Sequence, residues 1–132
     1  MENDFRMKEY HGIVINLSQK DQSIIKSINI IGKKKVILNF LVLNKISVNS
    51  ADIENVIIRL QNNMRKYYWP FVNGFYFHFY RNNELIIVFK DRIFRVTTDH
   101  STWKEAIEYG LKSGIPKKQL DFYPCRIEDE KY

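Results

Sequence analysis

The stretch "FYFHFYRNNELIIVFKDRIFRV", residues 75–96, sets three runs of alternating side chains end to end around two polar interruptions. Residues two apart share one face of a strand. Asn82-Asn83 and Lys90-Asp91 read as two-residue turns, and Asn tolerates the positive φ that a type I′ turn demands. The stretch is therefore a three-stranded antiparallel meander over about 73–97, with strands at about 73–80, 84–90 and 92–97. Counting outward from the turns pairs Phe79 with Ile86 and Ile86 with Arg95, and likewise Phe77 with Val88 and Val88 with Ile93. One face then shows Phe75, Phe77, Phe79, Ile86, Val88 and Ile93, fringed by Arg81, Glu84 and Arg95. The other shows Tyr76, His78 and Tyr80, then Leu85, Ile87 and Phe89, then Arg92, Phe94 and Val96. Neither face is polar, so the second is either covered by the chain or meets a partner.

Two segments can supply cover. From Asn49 or Ser50 as cap, Ile53, Val56, Ile57, Leu60, Met64 and Tyr67 recur at helical spacing, which predicts a helix over about 50–68 ended by Pro70. Thr102 and Glu105 have capping-box spacing ahead of a helix over about 102–113, whose Trp103, Ala106, Ile107, Gly110 and Leu111 share a face. Upstream, "HGIVINLS" alternates as a strand. Ser18 and Asp21 followed by Ile24, Ile28 and Ile31 predict a helix over 20–31, closed by Gly32. Lys33 to Lys35 read as an exposed connection into one strand, "KVILNFLVLN". The expectation is a single α+β domain over residues 1–132, in the order β, α, β, α, β, β, β, α. Its antiparallel sheet contains the meander and is packed by the two amphipathic helices, with helices on both faces if each takes one. This element order is similar to the longin, profilin and PAS group of folds, where helices flank an antiparallel sheet containing a three-strand meander. The resemblance implies a fold and no function.

A chain of 132 residues is of single-domain size, and 45% hydrophobic with 27% charged residues is a globular rather than a disordered composition. Cys125 is the only cysteine, which rules out an intramolecular disulfide and a cysteine-rich zinc site and fits a reducing, cytoplasmic setting. The chain opens without a charged-then-apolar leader. Its longest apolar run, "VILNFLVL", is far short of the roughly 20 residues a membrane helix needs. Residues 1–9 and the acidic "EDEKY" end are expected to be loose.

The formal charge of +6 favours acidic partners through the general field, yet outside Lys33 to Lys35 the basic residues are scattered along the sequence. Asp99, His100 and Ser101 are adjacent, which suits helix capping and not the separated positions of a catalytic triad. His11, His78 and His100 lack metal-ligand spacing. "ELIIVFK", Glu84 to Lys90, resembles the acidic-x-Lys strand of metal-dependent nucleases but has Val88 where the carboxylate belongs, and no glycine-rich phosphate loop is present. "NGFYFHFY" resembles a degraded ribonucleoprotein motif of RNA-recognition domains at Gly74, Phe75, Phe77 and Tyr80. It lacks the leading basic residue, has Tyr76 where that motif takes Gly or Ala, and is followed by strands where that fold places a helix. The expectation is a non-catalytic cytosolic interaction module, without cofactor or metal, that forms a homodimer through its aromatic sheet face. The alternative is a weak, phosphate-driven nucleic-acid binder using Tyr76, His78, Tyr80, Arg92 and Phe94. A small enzyme whose site assembles from distant residues is the third reading.

Overall fold

The computed structural model describes residues 8–36, 41–67, 74–120 and 122. Six strands form one antiparallel sheet: β1 (Glu9–Ile15), β2 (Asn29–Val36), β3 (Leu41–Asn49), β4 (Tyr76–Arg81), β5 (Glu84–Phe89) and β6 (Ile93–Thr97), in the spatial order β2-β3-β1-β4-β5-β6. Among the described residues three α-helices accompany it: α1 (Ser23–Lys26), α2 (Ile53–Asn62) and α3 (Lys104–Lys112). This is the α+β fold expected.

The meander has the register that its turns imply. Phe79 pairs Ile86, Phe77 pairs Val88, and on the far side Ile86 pairs Arg95 and Val88 pairs Ile93. Asn82 takes a φ of 53°, the left-handed backbone that Asn adopts at low cost in a tight turn. Both faces are covered, by different helices. On the first, Phe75, Phe77, Phe79, Ile86 and Val88 pack with Ile25 of α1 and with Ile53, Val56, Ile57 and Leu60 of α2. On the second, Tyr80, Leu85, Ile87, Phe89 and Phe94 pack with Trp103 and Ala106 at and within α3, and with Ile115, Leu120 and Phe122 beyond it. Trp103 is fixed at this contact by its Nε1, which donates to the Thr97 carbonyl at 2.8 Å.

The upstream elements differ from the sequence reading. The helix expected over 20–31 is a single turn, Ser23–Lys26, and the chain is already extended from Asn29. Ile28 ends the turn, its amide donating to the Ile25 carbonyl at 3.1 Å, and the β-branched Ile30 and Ile31 serve a strand instead, for which such side chains are suited. Ile30 pairs Ile46 and Gly32 pairs Lys45, so Ile31 is bulged out of the ladder and is 43% exposed; Gly32 belongs to this bulge and closes no helix. Lys33 to Lys35 are ladder residues of β2, not a connection. "KVILNFLVLN" is accordingly divided between the end of β2 and the start of β3, with residues 37–40 outside the described residues. The order gains one strand and becomes β, α, β, β, α, β, β, β, α.

The long helix is also shorter than its apolar stripe. It stops at Asn62 because the following residues bond elsewhere: Asn63 donates through Nδ2 to Gln19 Oε1 and to the Asp21 carbonyl, both at 2.9 Å, and its Oδ1 accepts from the Asp21 amide. The Arg65 amide donates to the Ser18 carbonyl at 2.7 Å. Met64 stays fully buried in an isolated bridge to Gln19, whereas Tyr67 leaves the core and is 59% exposed. At its start Asp52 precedes the helix without a side-chain cap, so neither Asn49 nor Ser50 caps it. Ahead of α3, the Thr102 hydroxyl donates to the Asp99 carbonyl, and Asp99 Oδ1 accepts from the Ser101 amide at 3.0 Å. A 3₁₀ turn, His100–Thr102, replaces the expected capping box, and Asp99 is its cap. Pro70, Cys125 and the two chain ends lie outside the described residues.

Two measurements follow from the two-sided burial. Urea denaturation of Phe77→Ala should show a loss of about 3–5 kcal/mol, and Tyr80→Ser, at 3% exposure on the opposite face, a loss of similar size. Tyr76→Ser, only half-buried, should cost less. A Cβ on Gly12 would lie 2.5 Å from a Phe79 ring carbon and 2.7 Å from the His78 carbonyl oxygen, so Gly12→Val should cost about 1–3 kcal/mol or more in the same assay.

Candidate functional site

The five residues singled out in the sequence divide into two groups. Tyr76, His78 and Tyr80 follow one another along β4 as a ladder of rings, 6.4 Å and 6.2 Å between centroids, and His11 of β1 meets Tyr80 at 6.3 Å. Two strands away, the Arg92 guanidinium lies 4.6 Å over the Phe94 ring and 5.9 Å from the centre of Tyr109. Tyr80, His78 and Phe94 are 3%, 8% and 7% exposed, and Tyr76 donates its hydroxyl to the Gln119 carbonyl at 2.6 Å. Of the five, Arg92 alone is exposed. The aromatic face is thus a packed layer. Unpaired bases or a second copy would reach it only if α3 moved away.

The far side of β1 and β3 is polar where the rest of the sheet is apolar. Cross-strand pairing aligns Ser47, His11 and Tyr80 in one row and Lys45, Ile13 and His78 in the next. Lys45 is 2% exposed, and His11 and Ser47 are 7%. None of the three is without a partner: Ser47 donates to Glu9 Oε1 at 2.8 Å, and His11 and Lys45 have interactions of their own. Sequence reading passed over Lys45. Its signal was a lysine between Asn44 and Ile46 in the middle of a strand, a position where a charge is costly to bury unless paired.

Basic residues do converge, though not along the sequence. A cleft of about 320 Å³ lies where the segment after α2, the β5–β6 turn and the end of α3 come together, and Lys66, Lys90 and Lys112 all line it. Asp91 is the one acid among the described residues of that lining, and Tyr67 and the half-buried Tyr109 supply aromatic surface beside the buried Phe89. Lys90 donates to the Gln61 carbonyl at 3.2 Å. Among the described residues, the Lys66 and Lys112 ammonium groups have neither a hydrogen bond nor a carboxylate partner. Tyr109 is tilted 4.9 Å from Phe89 and carries the Arg92 guanidinium near its other neighbour, Phe94, so Arg92 adjoins this cleft. Three lysines separated by 24 and 22 residues form no run in a sequence, which is why the cluster was not legible there.

Other charged groups are used structurally. Glu84 Oε1 accepts from the Tyr10 hydroxyl at 2.9 Å, and its Oε2 from Arg81 at 2.7 Å. Partial burial pushes the Glu84 carboxyl up, but hydrogen bonds from Arg81 and Tyr10 and the Arg81 charge outweigh it and hold the group below the ordinary glutamate value. The amide and hydroxyl of Ser101 likewise lower Asp99. Among the described residues no group of three or more His, Cys, Asp or Glu side chains is placed to hold a metal ion, and no helix is long and apolar enough to cross a membrane. Comparison with known proteins returns no match to a family model, to a curated protein or to a solved structure.

The Glu84 contacts carry a pH dependence. A carboxyl that titrates lower in the folded than in the unfolded chain stabilises the fold above the unfolded-state value, and that contribution is lost as the pH falls through the folded-state value. Glu84→Gln should therefore lower the denaturation midpoint at neutral pH and flatten its fall on acidification. The two proteins should converge at the acid end.

Proposed function

We propose that this protein is a non-catalytic cytosolic binding module for an anionic polymer, single-stranded nucleic acid in particular, at the cleft lined by Lys66, Tyr67, Lys90 and Lys112. The observation that carries the reading is the meeting of three lysines from distant parts of the chain around exposed aromatic surface. Unpaired ammonium groups supply the phosphate attraction that dominates nonspecific nucleic-acid binding. Tyr67, 59% exposed, offers a ring face on which an unpaired base stacks, a contact of about 1–3 kcal/mol per base. Arg92 extends the positive rim beside Tyr109. A cleft of this kind reads backbone charge and π-surface, so it has little sequence preference. The net charge of +6 adds a favourable field at long range. Confinement to the cytosol rests on the single cysteine and is part of the proposal.

Fluorescence anisotropy with a labelled oligothymidylate tests it. Binding should weaken with salt with a log–log slope of about −2, from three phosphate contacts at about 0.7 each. Lys66→Ala and Lys112→Ala should each reduce the slope by about 0.7, and Tyr67→Ser should weaken binding without changing it. Binding that ignores salt, or that all three variants leave intact, would reject the cleft. Sedimentation at micromolar concentration, run beside it, checks for a homodimer; a dimer that Lys66→Ala and Lys112→Ala disrupt would make a second copy the occupant.

A further inference from the structure

A second cleft, against α2 and the residue that precedes it, has a different chemistry. It encloses about 450 Å³ between the start of β1, the α1–β2 junction, the end of β3 and one face of α2. Its floor is apolar, with Ile28, Val48 and Val56 buried at 9%, 4% and 8% exposure. Its walls hold charges of both signs that are kept apart. Asp52, Asn55, Val56 and Arg59 follow the i, i+3, i+4, i+7 spacing of a single helix face, and seven residues at 1.5 Å each put about 10 Å between the backbone positions of Asp52 and Arg59. At the basic end, Arg59 Nη2 donates to Ser27 Oγ at 3.0 Å, which steadies the guanidinium and engages one of its five N–H donors. At the acidic end, Ser47 Oγ donates to Glu9 Oε1, and Asp52 stands at the same end because its amide donates to the carbonyl of Asn49, the cross-strand neighbour of Glu9. Among the described residues, Arg59 has no carboxylate partner and the Asp52 carboxylate accepts no hydrogen bond. The charges are complementary, share one cleft and do not neutralise each other.

We infer that this cleft binds a short peptide of about two residues with free termini, its ammonium at Asp52 and Glu9, its carboxylate at Arg59, and an apolar side chain on Ile28, Val48 and Val56. An extended dipeptide is about 7 Å long, and with one charge-assisted contact of about 2.8 Å at each terminus it spans about 12–13 Å, which suits side chains that extend beyond backbone positions about 10 Å apart. Guanidinium–carboxylate pairing is planar and two-pronged, and three donors or more remain on Arg59 for it. Asn29, Asn49 and Asn55 in the walls each offer a donor and an acceptor, as the ligand's peptide group requires. An inorganic anion would satisfy only the Arg59 end, and a cation only the other.

The test is an NMR titration of the full chain with alanyl-leucine, beside its N-acetylated and C-amidated forms. The free dipeptide should give saturable shifts at the amides of Asn55, Val56 and Arg59, and blocking either terminus should weaken binding about tenfold or more. Arg59→Gln should erase the difference between the free and amidated forms while keeping that between the free and acetylated forms; Asp52→Asn combined with Glu9→Gln should do the reverse. All three substitutions are at exposed residues, and an unchanged amide spectrum elsewhere verifies the fold of each variant. Absence of saturable shifts, equal binding of the blocked forms, or variants that fail to separate the two termini would each overturn the assignment.

Discussion

The sheet is held together in the middle by a joint only three residue pairs wide, His11 with Tyr80, Gly12 with Phe79 and Ile13 with His78, and nearly every other feature depends on it. On one side of this joint stand β1, β2 and β3, and on the other the meander. Gly12 is the only residue type that admits the Phe79 ring at that distance, so the glycine sets how closely the two halves approach. The closeness has a consequence on each face. On one, Phe79 reaches across the joint into the core that α2 and α1 close. On the other, His11 and Tyr80 are brought edge to face, and the polar rows of β3 and β1 run into the aromatic ladder of β4 without a break.

Covering a sheet that is apolar on both sides explains the placement of the helices and, through them, of the clefts. α2 and α3 lie on opposite faces, and both end near the β5–β6 turn. Helix ends carry unpaired carbonyls and a partial negative charge, which favours basic residues there; Lys112 occupies such a position on α3, and Lys90 donates to the Gln61 carbonyl in the last turn of α2. The same arrangement that steadies two helix ends thus gathers positive charge at one edge of the molecule. Where α2 begins, Asp52 and Glu9 line a second cleft with Arg59, which has mixed polarity.

Much of the fold was legible because it is local. The meander's register follows from two turns and a period of two, and both amphipathic helices from their stripes. Three features resisted for physical reasons. Isoleucines at 24, 28 and 31 have helical spacing, while Ile30 and Ile31 suit a bulged strand once β3 is present to pair with Ile30. The stripe of α2 runs on to Met64 and Tyr67, but side-chain bonds from Asn63 to the 19–21 segment, more than 40 positions away, end the helix early. Of the candidate site residues, the sequence correctly placed Tyr76, His78 and Tyr80 with Phe94 on one face, while their burial depended on where α3 would dock. The lysine cluster and the dipolar cleft are products of topology and leave no local trace.

Among the described residues the sheet is bounded by two edge strands, β2 and β6, and they are unlike each other. At one, β2 presents Lys33, Lys34 and Lys35 in succession, so charge lies on both sides of the strand where a neighbour would add. At the other, β6 is five residues long, and the Arg95 side chain on it is drawn to Glu54 of α2 in a two-pronged ion pair at 2.6 Å and 3.0 Å. A chain with 17 Phe and Tyr residues and six strands has the raw material for fibrils. Lysines along one edge and the shortness of the other both disfavour edge-to-edge pairing with a second copy. The same edge charges are weakened by salt and by lysine acetylation. Resistance to pairing at the lysine edge is therefore an electrostatic property, separable from the stability of the fold.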